Sequence, residues 1–292
     1  MTRSSGAILT DRAVVAVSGP EAGAFLQGIV TVDMEDVDAG QARHGALLTP
    51  QGKILFEFMV APGEEDYRLD VRAELAAEFI KRLMFYRLRA KAEIAQRDDL
   101  AVAALWGEDA SPSSLPGAFA DPRLPALGYR AILPADDAAR TLESAGARVA
   151  DSAAYRAWRI ALGVPELGED YETGELFPHE ADHDQLAGVD FDKGCFVGQE
   201  VVSRMQHRGT ARKRFVPVSV TGDPPPRDSD ITAEGRRLGN MASSADGRGL
   251  ALIRLDRLGE AMANGQAIEA AGARLVPERP DWARFDWPGA AS

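Results

Sequence analysis

Cysteine is almost missing from this sequence, and its scarcity excludes a whole class of folds. Cys195 is the only cysteine among 292 residues, so no intramolecular disulfide can form and a disulfide-stapled secreted fold is excluded. This usage favours a reducing compartment, and we expect a cytoplasmic protein. One thiolate also cannot hold an iron–sulfur cluster unaided, because such clusters usually take four thiolates.

Long apolar runs and several catalytic motifs are also missing. No apolar run reaches the roughly 18–20 residues needed to cross a bilayer, and the first residues do not show the pattern of a secretory signal. The sequence contains no G-x-G-x-x-G, Walker A or G-x-S-x-G motif. Its net charge of -12 argues against a general binder of nucleic acid or membrane surfaces. We therefore expect it to handle a small molecule or another protein.

The residue patterns indicate two or three domains for a chain of this length. Two β-prone runs flank the turn at residues 50–52 and predict a hairpin. A helix is predicted within residues 72–88, because Leu75, Phe79 and Leu83 fall on one stripe. From Phe215 onward, short strands alternate with turn clusters, which predicts a small β-barrel or β-sandwich.

The cysteine lies in "DKGCFVGQE", residues 192–200. Apolar residues follow it at helical spacing, at Val197, Val201, Val202 and Met205. Cys195 is therefore predicted at or just before a helix N-terminus, and with Lys193 two residues away both features favour the thiolate. The alternative is that Cys195 is a small buried hydrophobe. Gly194 and Gly198 allow close approach of a ligand to the backbone, or a turn with positive φ.

A zinc-protease motif, H-E-x-x-H, occurs at residues 179–183. The motif requires two imidazoles on one face of a helix, whereas Pro178, Asp182 and Asp184 make this segment polar and irregular. We predict a loop with solvated histidines and no metal site. The alternative is a zinc hydrolase that uses His179 and His183. His44 and His207, the remaining histidines, have no partner at obvious ligand spacing.

Two basic stretches stand out in an acidic chain. They are "KRLMFYRLRAK" at residues 81–91 and "SRMQHRGTARKR" at residues 203–214. Such stretches line a cleft for an anionic ligand, or they form solvated faces that pair with the many carboxylates.

The stretch "KGCFVGQEVVSR" resembles the K-G-C-[FY]-x-G-Q-E signature of the YgfZ-type folate-binding proteins, which are relatives of the glycine-cleavage aminomethyltransferase. The passages "LLTPQGKILFEF", "FYRLRAKAEI", "LFPHEADHDQLAGVDFDKGC" and "GLALIRLD" resemble the same family, so the resemblance covers nearly the whole chain. It implies an α+β fold of three domains in an aminomethyltransferase-like ring with a C-terminal antiparallel β-barrel. Residues 1–45 and 150–212 would form a discontinuous folate-binding domain, 46–149 an inserted α+β domain and 213–292 the barrel.

The resemblance also implies a function. The protein would bind tetrahydrofolate and assist the assembly or repair of iron–sulfur clusters in client enzymes, with an indirect effect on tRNA modification. Glu180 would hold the pterin, since a carboxylate accepts two N–H bonds from an aminopyrimidine ring. The implied site consists of Cys195 as candidate catalytic residue with Lys193, Gln199 and Glu200, helped by Arg204 and Arg208. Its partners would be a folate and iron–sulfur client or assembly proteins, without direct contact to nucleic acid or membrane, and the chain would be a monomer.

A second function is left open by the same resemblance, namely that of a folate-dependent aminomethyltransferase or another one-carbon transfer enzyme. Two departures count against it. A glutamate of the transferases is replaced by Ala161, and their aspartate pair after the first hairpin is reduced to the single carboxylate of Glu57.

Overall fold

The structure, a computed structural model, describes residues 4–209 and 211–288. Residues 1–3, 210 and 289–292, which belong to the first and third predicted domains, lie outside the described residues. The chain divides into a first unit, Met1–Tyr155 with Leu186–Val201, and a second unit, Arg156–Gln185 with Val202–Ser292. Both units are thus discontinuous in sequence. The division into three domains, and their ring arrangement, stay predictions.

The first unit mixes strands and helices. Its elements are β1 (Ser4–Ile8), β2 (Arg12–Ser18), α1 (Ala22–Gln27), α2 (Met34–Asp38), β3 (Arg43–Leu48), β4 (Ile54–Pro62), β5 (Asp66–Arg72), α3 (Ala76–Arg87), β6 (Glu93–Gln96), β7 (Leu100–Gly107), β8 (Phe119–Ala120), β9 (Tyr129–Pro134), α4 (Ala138–Ser144) and β10 (Arg148–Val149). Helix α5 (Ser152–Ala161) begins in this unit and continues into the second. This composition confirms the predicted α+β class.

One five-stranded sheet of the first unit has the order β3-β4-β5-β2-β6, with antiparallel neighbours. The predicted hairpin is its β3–β4 pair, closed by a hydrogen bond from the Gly52 N–H to the Thr49 carbonyl at 2.8 Å. Helix α3 packs Phe79 and Leu83 against this sheet, and the Phe79 ring lies 5.2 Å from that of Phe56. The apolar stripe therefore predicted both the helix and its buried face. Among the residues described, no helix is both long and apolar enough to cross a membrane.

A second sheet of the first unit has the order β10-β1-β7-β9-β8. Buried charges connect the two sheets, because Asp70 on β5 accepts from Arg12 Nε at 2.5 Å and also binds Arg130 on β9. Arg130 reaches Asp121 at 3.3 Å, and Arg123 binds the same carboxylate at 2.8 Å. Burial by itself would raise the pKa of Asp121, but the guanidinium groups of Arg123 and Arg130 hold that pKa below its usual range.

The second unit contains a closed barrel. Its further elements are α6 (Gln199–Arg208), which begins in the first unit, β11 (Lys213–Thr221), β12 (Asp230–Ala233), β13 (Arg236–Ala245), β14 (Arg248–Arg254), α7 (Leu255–Ala263), β15 (Ile268–Ala270) and β16 (Ala273–Pro277). The strand order β11-β14-β13-β12-β15-β16 closes on itself through antiparallel pairs. Val216, Val218 and Ile253 are among the fully buried residues of its core. The barrel, rather than the sandwich, is therefore confirmed.

Candidate functional site

The chain leading to the cysteine is fixed to the first unit by one buried threonine. The Thr31 hydroxyl donates to the Gly188 carbonyl at 2.6 Å and accepts the Ala46 N–H at 2.8 Å. The Asp190 N–H donates to the Thr31 carbonyl at 2.8 Å. Thr31 is fully buried, so this small side chain and its main chain bind residues 188–190 where water cannot compete.

Lys193 is part of the frame of the loop. Its Nζ donates to the main-chain carbonyls of Gln27, Val30 and Val32, at 3.0, 2.7 and 2.5 Å. An ammonium group has three donors, and here each has an acceptor. Burial lowers the pKa of Lys193 to about 8, against the opposing effects of Asp33 and Asp190. The predicted role of Lys193 in folate binding stays a prediction, and it would require the ammonium to give up these bonds.

Gly194 and Gly198, on either side of the cysteine, have different structural surroundings. Gly198 has a φ of +82°, and a Cβ there would lie 2.5 Å from the Thr49 carbonyl oxygen, so the hairpin turn approaches its backbone directly. Apart from its two neighbours in the chain, no described residue has an atom within 4 Å of the place where a Cβ of Gly194 would stand. Of the two uses that the sequence left open for Gly198, the structure shows positive φ combined with close approach of the protein's own backbone.

Cys195 itself is exposed. Helix α6 begins at Gln199, four residues later, so the thiol lies before the helix and not in its first turn. The Gln199 side chain turns back and its Nε2 lies 3.4 Å from the Gly194 carbonyl, while the neighbouring Phe196 is buried beside Lys193. Residues 190–199, called the cysteine loop below, thus hold an accessible thiol on an anchored backbone. The alternative of a small buried hydrophobe is wrong.

The segment with the zinc-like motif is buried, which corrects the prediction of solvated histidines. His179 and His183 are 2% and 1% exposed and lie in consecutive turns, not on a helix. Their Nε2 atoms have separate partners, since His179 Nε2 lies 3.0 Å from Gln206 Oε1 and His183 Nε2 lies 3.3 Å from the Tyr171 hydroxyl. Residues 177–185 are called the histidine segment below.

Arg214 is the reason that this polar segment can be buried. Its Nη1 donates to the His179 carbonyl at 2.6 Å, to Asp182 at 3.0 Å and to Asp184 at 2.5 Å, and its Nη2 donates to Asp184 at 2.9 Å. Burial raises the pKa of Asp182 well above its ordinary value, and burial also lowers the pKa of His179. Arg214 overcomes the effect of burial on Asp184 and holds the pKa of that carboxyl down.

Glu180 is half-buried in the histidine segment, within the second unit. Its Oε2 accepts the Phe177 N–H at 3.1 Å. A carboxylate offers about four acceptor positions, so within the described residues Glu180 keeps enough of them to accept two N–H bonds of an aminopyrimidine. The residue therefore fits the pterin role that the resemblance implies. Arg204 and Arg208 also belong to the second unit, whereas Lys193, Cys195, Gln199 and Glu200 belong to the first.

The first hairpin carries a buried pair, His44 and Glu57, that was not predicted from the sequence. His44 Nδ1 lies 2.9 Å from the Leu186 carbonyl and Nε2 lies 3.0 Å from Glu57 Oε1, with both residues buried. A carbonyl only accepts, so the His44 ring donates from Nδ1 to Leu186. The hairpin register held the signal, because Ala46 pairs with Glu57 and places His44 diagonal to it on the same face.

A cavity of about 650 Å³ lies within the second unit. Its lining includes His179, Gln206, Arg214 and Trp287. The predicted folate ligand Glu180 is not part of this lining. The cavity is within the size range of small-molecule sites. Arg212 and Arg214 of the basic stretch at residues 203–214 are part of its lining, in agreement with the cleft that this stretch predicted.

Comparison with known proteins shows what this chain is similar to. The profile of the CAF17 C-terminal β-barrel domain matches residues 212–285. The chain is 30% identical to the "Iron-sulfur cluster assembly factor IBA57 homolog, mitochondrial" of Pyricularia oryzae, over 90% of this chain and 75% of that protein. It is 30% identical to the protein of the same name from Neurospora crassa, over 72% of this chain but only 52% of that longer protein.

Among solved structures, the aminomethyltransferase T of the glycine cleavage system from Bartonella henselae superposes with a TM-score of 0.75. The match covers 98% of this chain and 88% of the other at 19% identity, which shows the fold alone. The predicted aminomethyltransferase-like fold with a C-terminal antiparallel barrel is therefore confirmed.

The expected cytoplasmic location is wrong, because the relatives are named as mitochondrial proteins. The error has a chemical reason. One cysteine excludes an intramolecular disulfide, and that argument points to any reducing compartment rather than to the cytoplasm.

Proposed function

Because the chain belongs to the family of the iron–sulfur cluster assembly factor IBA57, we propose that it assists the assembly or repair of iron–sulfur clusters in client enzymes. The observation that carries the proposal is the exposed thiol of Cys195, the only cysteine of the chain, on an anchored loop. The signature at residues 193–200 supports the further proposal that the chain is of the YgfZ type.

In this proposal the cluster is cargo and Cys195 is one ligand to it. A cluster usually needs four thiolates, so a client or assembly protein supplies the others while the cluster is passed on. A single ligand from this chain releases the cluster easily once the client has closed its own set. The rigid frame made by Lys193 and Gly198 keeps the thiol in the position at which a partner would meet it.

The proposal includes a bound tetrahydrofolate. Glu180 would accept the N–H groups of the pterin, and Arg204 and Arg208, which belong to the same unit, would be polar groups near the rest of the ligand. The roles of Gln199 and Glu200 in folate binding stay predictions from the resemblance. A folate supplies one-carbon chemistry when bound. Aminomethyl transfer has less support, since Glu57, the hairpin carboxylate, is buried against His44 and Ala161 replaces a transferase glutamate.

The thiol role is tested by complementation. A strain lacking its own factor of this family is supplied with the wild-type chain, with Cys195→Ser, or with Gly194→Ala as a neighbouring control. We expect cluster-enzyme activity to return with the wild type and the control, and to stay at the background level with Cys195→Ser. Full activity with Cys195→Ser would remove the thiol from the mechanism.

The folate role is tested by anaerobic calorimetry with tetrahydrofolate. We expect saturable binding to the wild type and at least about tenfold weaker binding to Glu180→Gln, because the amide offers one acceptor oxygen instead of two. Absence of binding at millimolar ligand would contradict the folate role while leaving the thiol role intact. The monomeric state and the indirect effect on tRNA modification belong to the same proposal, and the mass in solution and the tRNA modification of the complemented strain test them.

A further inference from the structure

Helix α3 ends in a cluster of exposed apolar side chains. Met84, Phe85 and Leu88 are 43%, 69% and 84% exposed. Met84 and Phe85 lie in the last turn of the helix and Leu88 directly follows it, whereas Phe79 and Leu83 are buried against the sheet. The other large hydrophobic residues that are exposed within the described part of the chain are scattered, at Val149, Met262 and Val276. Met84, Phe85 and Leu88 are called the α3 patch below.

The backbone conformation at Leu88 is a second indication that the α3 patch has a function. Its φ is +49° and its ψ is −104°, close to the first central position of a type II′ turn, where glycine dominates. The Ala90 N–H closes this turn on the Arg87 carbonyl at 2.8 Å. A leucine at this position strains the backbone. Because its side chain is exposed, its packing contributes little stabilisation to offset that strain. The described fold therefore gives no structural reason for a leucine at position 88.

The patch also lies in one of the two basic stretches of an acidic chain. Residues 81–91 contain five basic residues and no acidic one, whereas the whole chain carries a net charge of -12. Arg82 and Arg89 are exposed and take part in no ion pair within residues 4–209 and 211–288. Lys81 contacts Glu78 at 3.4 Å, but both side chains are largely exposed, so this pair contributes little.

We propose that the α3 patch, flanked by Arg82 and Arg89, is a docking surface for an acidic partner protein with an apolar socket for Phe85 and Leu88. Aromatic residues, methionine and arginine are the residue types enriched at protein interfaces. Unpaired cations around them steer an acidic partner and fix its orientation. The apolar patch and the negative charge of the remaining chain disfavour a nucleic acid as occupant. The proposal concerns this surface alone and does not depend on cluster or folate chemistry.

Site-specific photo-cross-linking in the cells that produce the protein tests the occupant. A benzophenone amino acid replaces Phe85 in the full chain, and the same group at Val149, which is 57% exposed, is the matched control. We expect a light-dependent adduct at position 85 with an acidic protein, and no such adduct at position 149. An adduct with lipid, nucleic acid, a basic protein or a second copy of this chain would overturn the proposal, and so would the absence of any adduct.

Binding of the purified cross-linked protein then tests the chemistry. Leu88→Gly should weaken the complex at least about tenfold, as expected for a central interface residue, and should raise the melting temperature because the strain is relieved. Arg82→Glu combined with Arg89→Glu should slow association and reduce its dependence on salt. Wild-type affinity in Leu88→Gly, or unchanged association after charge reversal, would contradict the proposal. Val149→Gly controls for a general effect of an exposed apolar residue.

Discussion

The cysteine loop and the histidine segment are both irregular, polar and rich in glycine or charge. They differ in exposure, because the loop exposes its cysteine whereas the histidine segment is buried. The loop presents Cys195 to solvent, and its buried cation, Lys193, is bound by neutral main-chain carbonyls. The histidine segment is buried, and its cation, Arg214, is bound by the carboxylates of Asp182 and Asp184 as well as a carbonyl. Neutral carbonyls around Lys193 thus hold a loop whose thiol is accessible, which we call a neutral frame. Charged carboxylates around Arg214, a charged frame, allow the polar histidine segment to be buried.

We expect the loss of Arg214 and the loss of Lys193 to lower the free energy of unfolding by different amounts. Without its arginine, the histidine segment keeps buried carboxylates that are charged or must take up protons. Without its lysine, the cysteine loop keeps carbonyls that are polar but uncharged. Three substitutions sharpen this contrast, and a fourth concerns the thiol itself.

The largest expected effect follows Arg214→Met. This substitution leaves Asp182 and Asp184 without their partner in a buried environment, and the loss of one side of a buried ion pair costs about 3–5 kcal/mol. The free energy of unfolding, from urea titration followed by circular dichroism, measures it. Arg212→Met is the matched control, because Arg212 is exposed two residues away, and its effect should stay within about 0.5 kcal/mol. Equal effects of the two variants would refute a charged frame.

Lys193→Met should have a smaller effect, about 3 kcal/mol or less, since it leaves the carbonyls of Gln27, Val30 and Val32 without a donor. The substitution should also loosen the loop, so reaction of Cys195 with a thiol reagent should change in rate. Lys91→Met, at an exposed lysine, is the control. If Lys193→Met destabilised the protein more than Arg214→Met, the ranking of neutral and charged frames would be wrong.

Gly198→Ala should cost about 2 kcal/mol, because its φ of +82° and the Thr49 carbonyl 2.5 Å from the new Cβ both oppose a side chain. Gly194→Ala, on the other side of the same cysteine, places its Cβ within 4 Å of no described residue other than its two chain neighbours. It should change stability by no more than about 0.5 kcal/mol. Thermal unfolding of the two variants side by side measures the difference. Similar melting temperatures of Gly198→Ala and Gly194→Ala would contradict the close contact between Gly198 and the hairpin turn.

The sequence predicted the elements that depend on local pattern. The stripe through Phe79 and Leu83 identified helix α3, the turn at residues 50–52 identified the hairpin, and the strand-rich region after Phe215 became the barrel. Each of these patterns concerns residues close together in the chain, where propensity and periodicity act directly.

The buried polar contacts could not be predicted in the same way. Lys193 binds carbonyls more than 160 positions earlier in the chain, and Arg214 binds the carboxylates of Asp182 and Asp184 some 30 positions earlier. Polarity alone suggested solvation for His179 and His183, because nothing in the local sequence shows that Arg214 is buried with them. Such long-range pairing becomes visible only when the fold brings the partners together.

The central claim is that Cys195 supplies its sulfur as a ligand to a cluster that passes to a client, and anaerobic cluster transfer tests it most directly. An iron–sulfur-loaded carrier protein is mixed with an apo-client and either the wild-type chain or Cys195→Ser, and the transfer rate is followed by circular dichroism of the cluster. Cys195 is exposed, so the free energy of unfolding should agree between the two within about 0.5 kcal/mol. The account predicts acceleration by the wild type that Cys195→Ser lacks at unchanged stability. Equal acceleration by both proteins would contradict it.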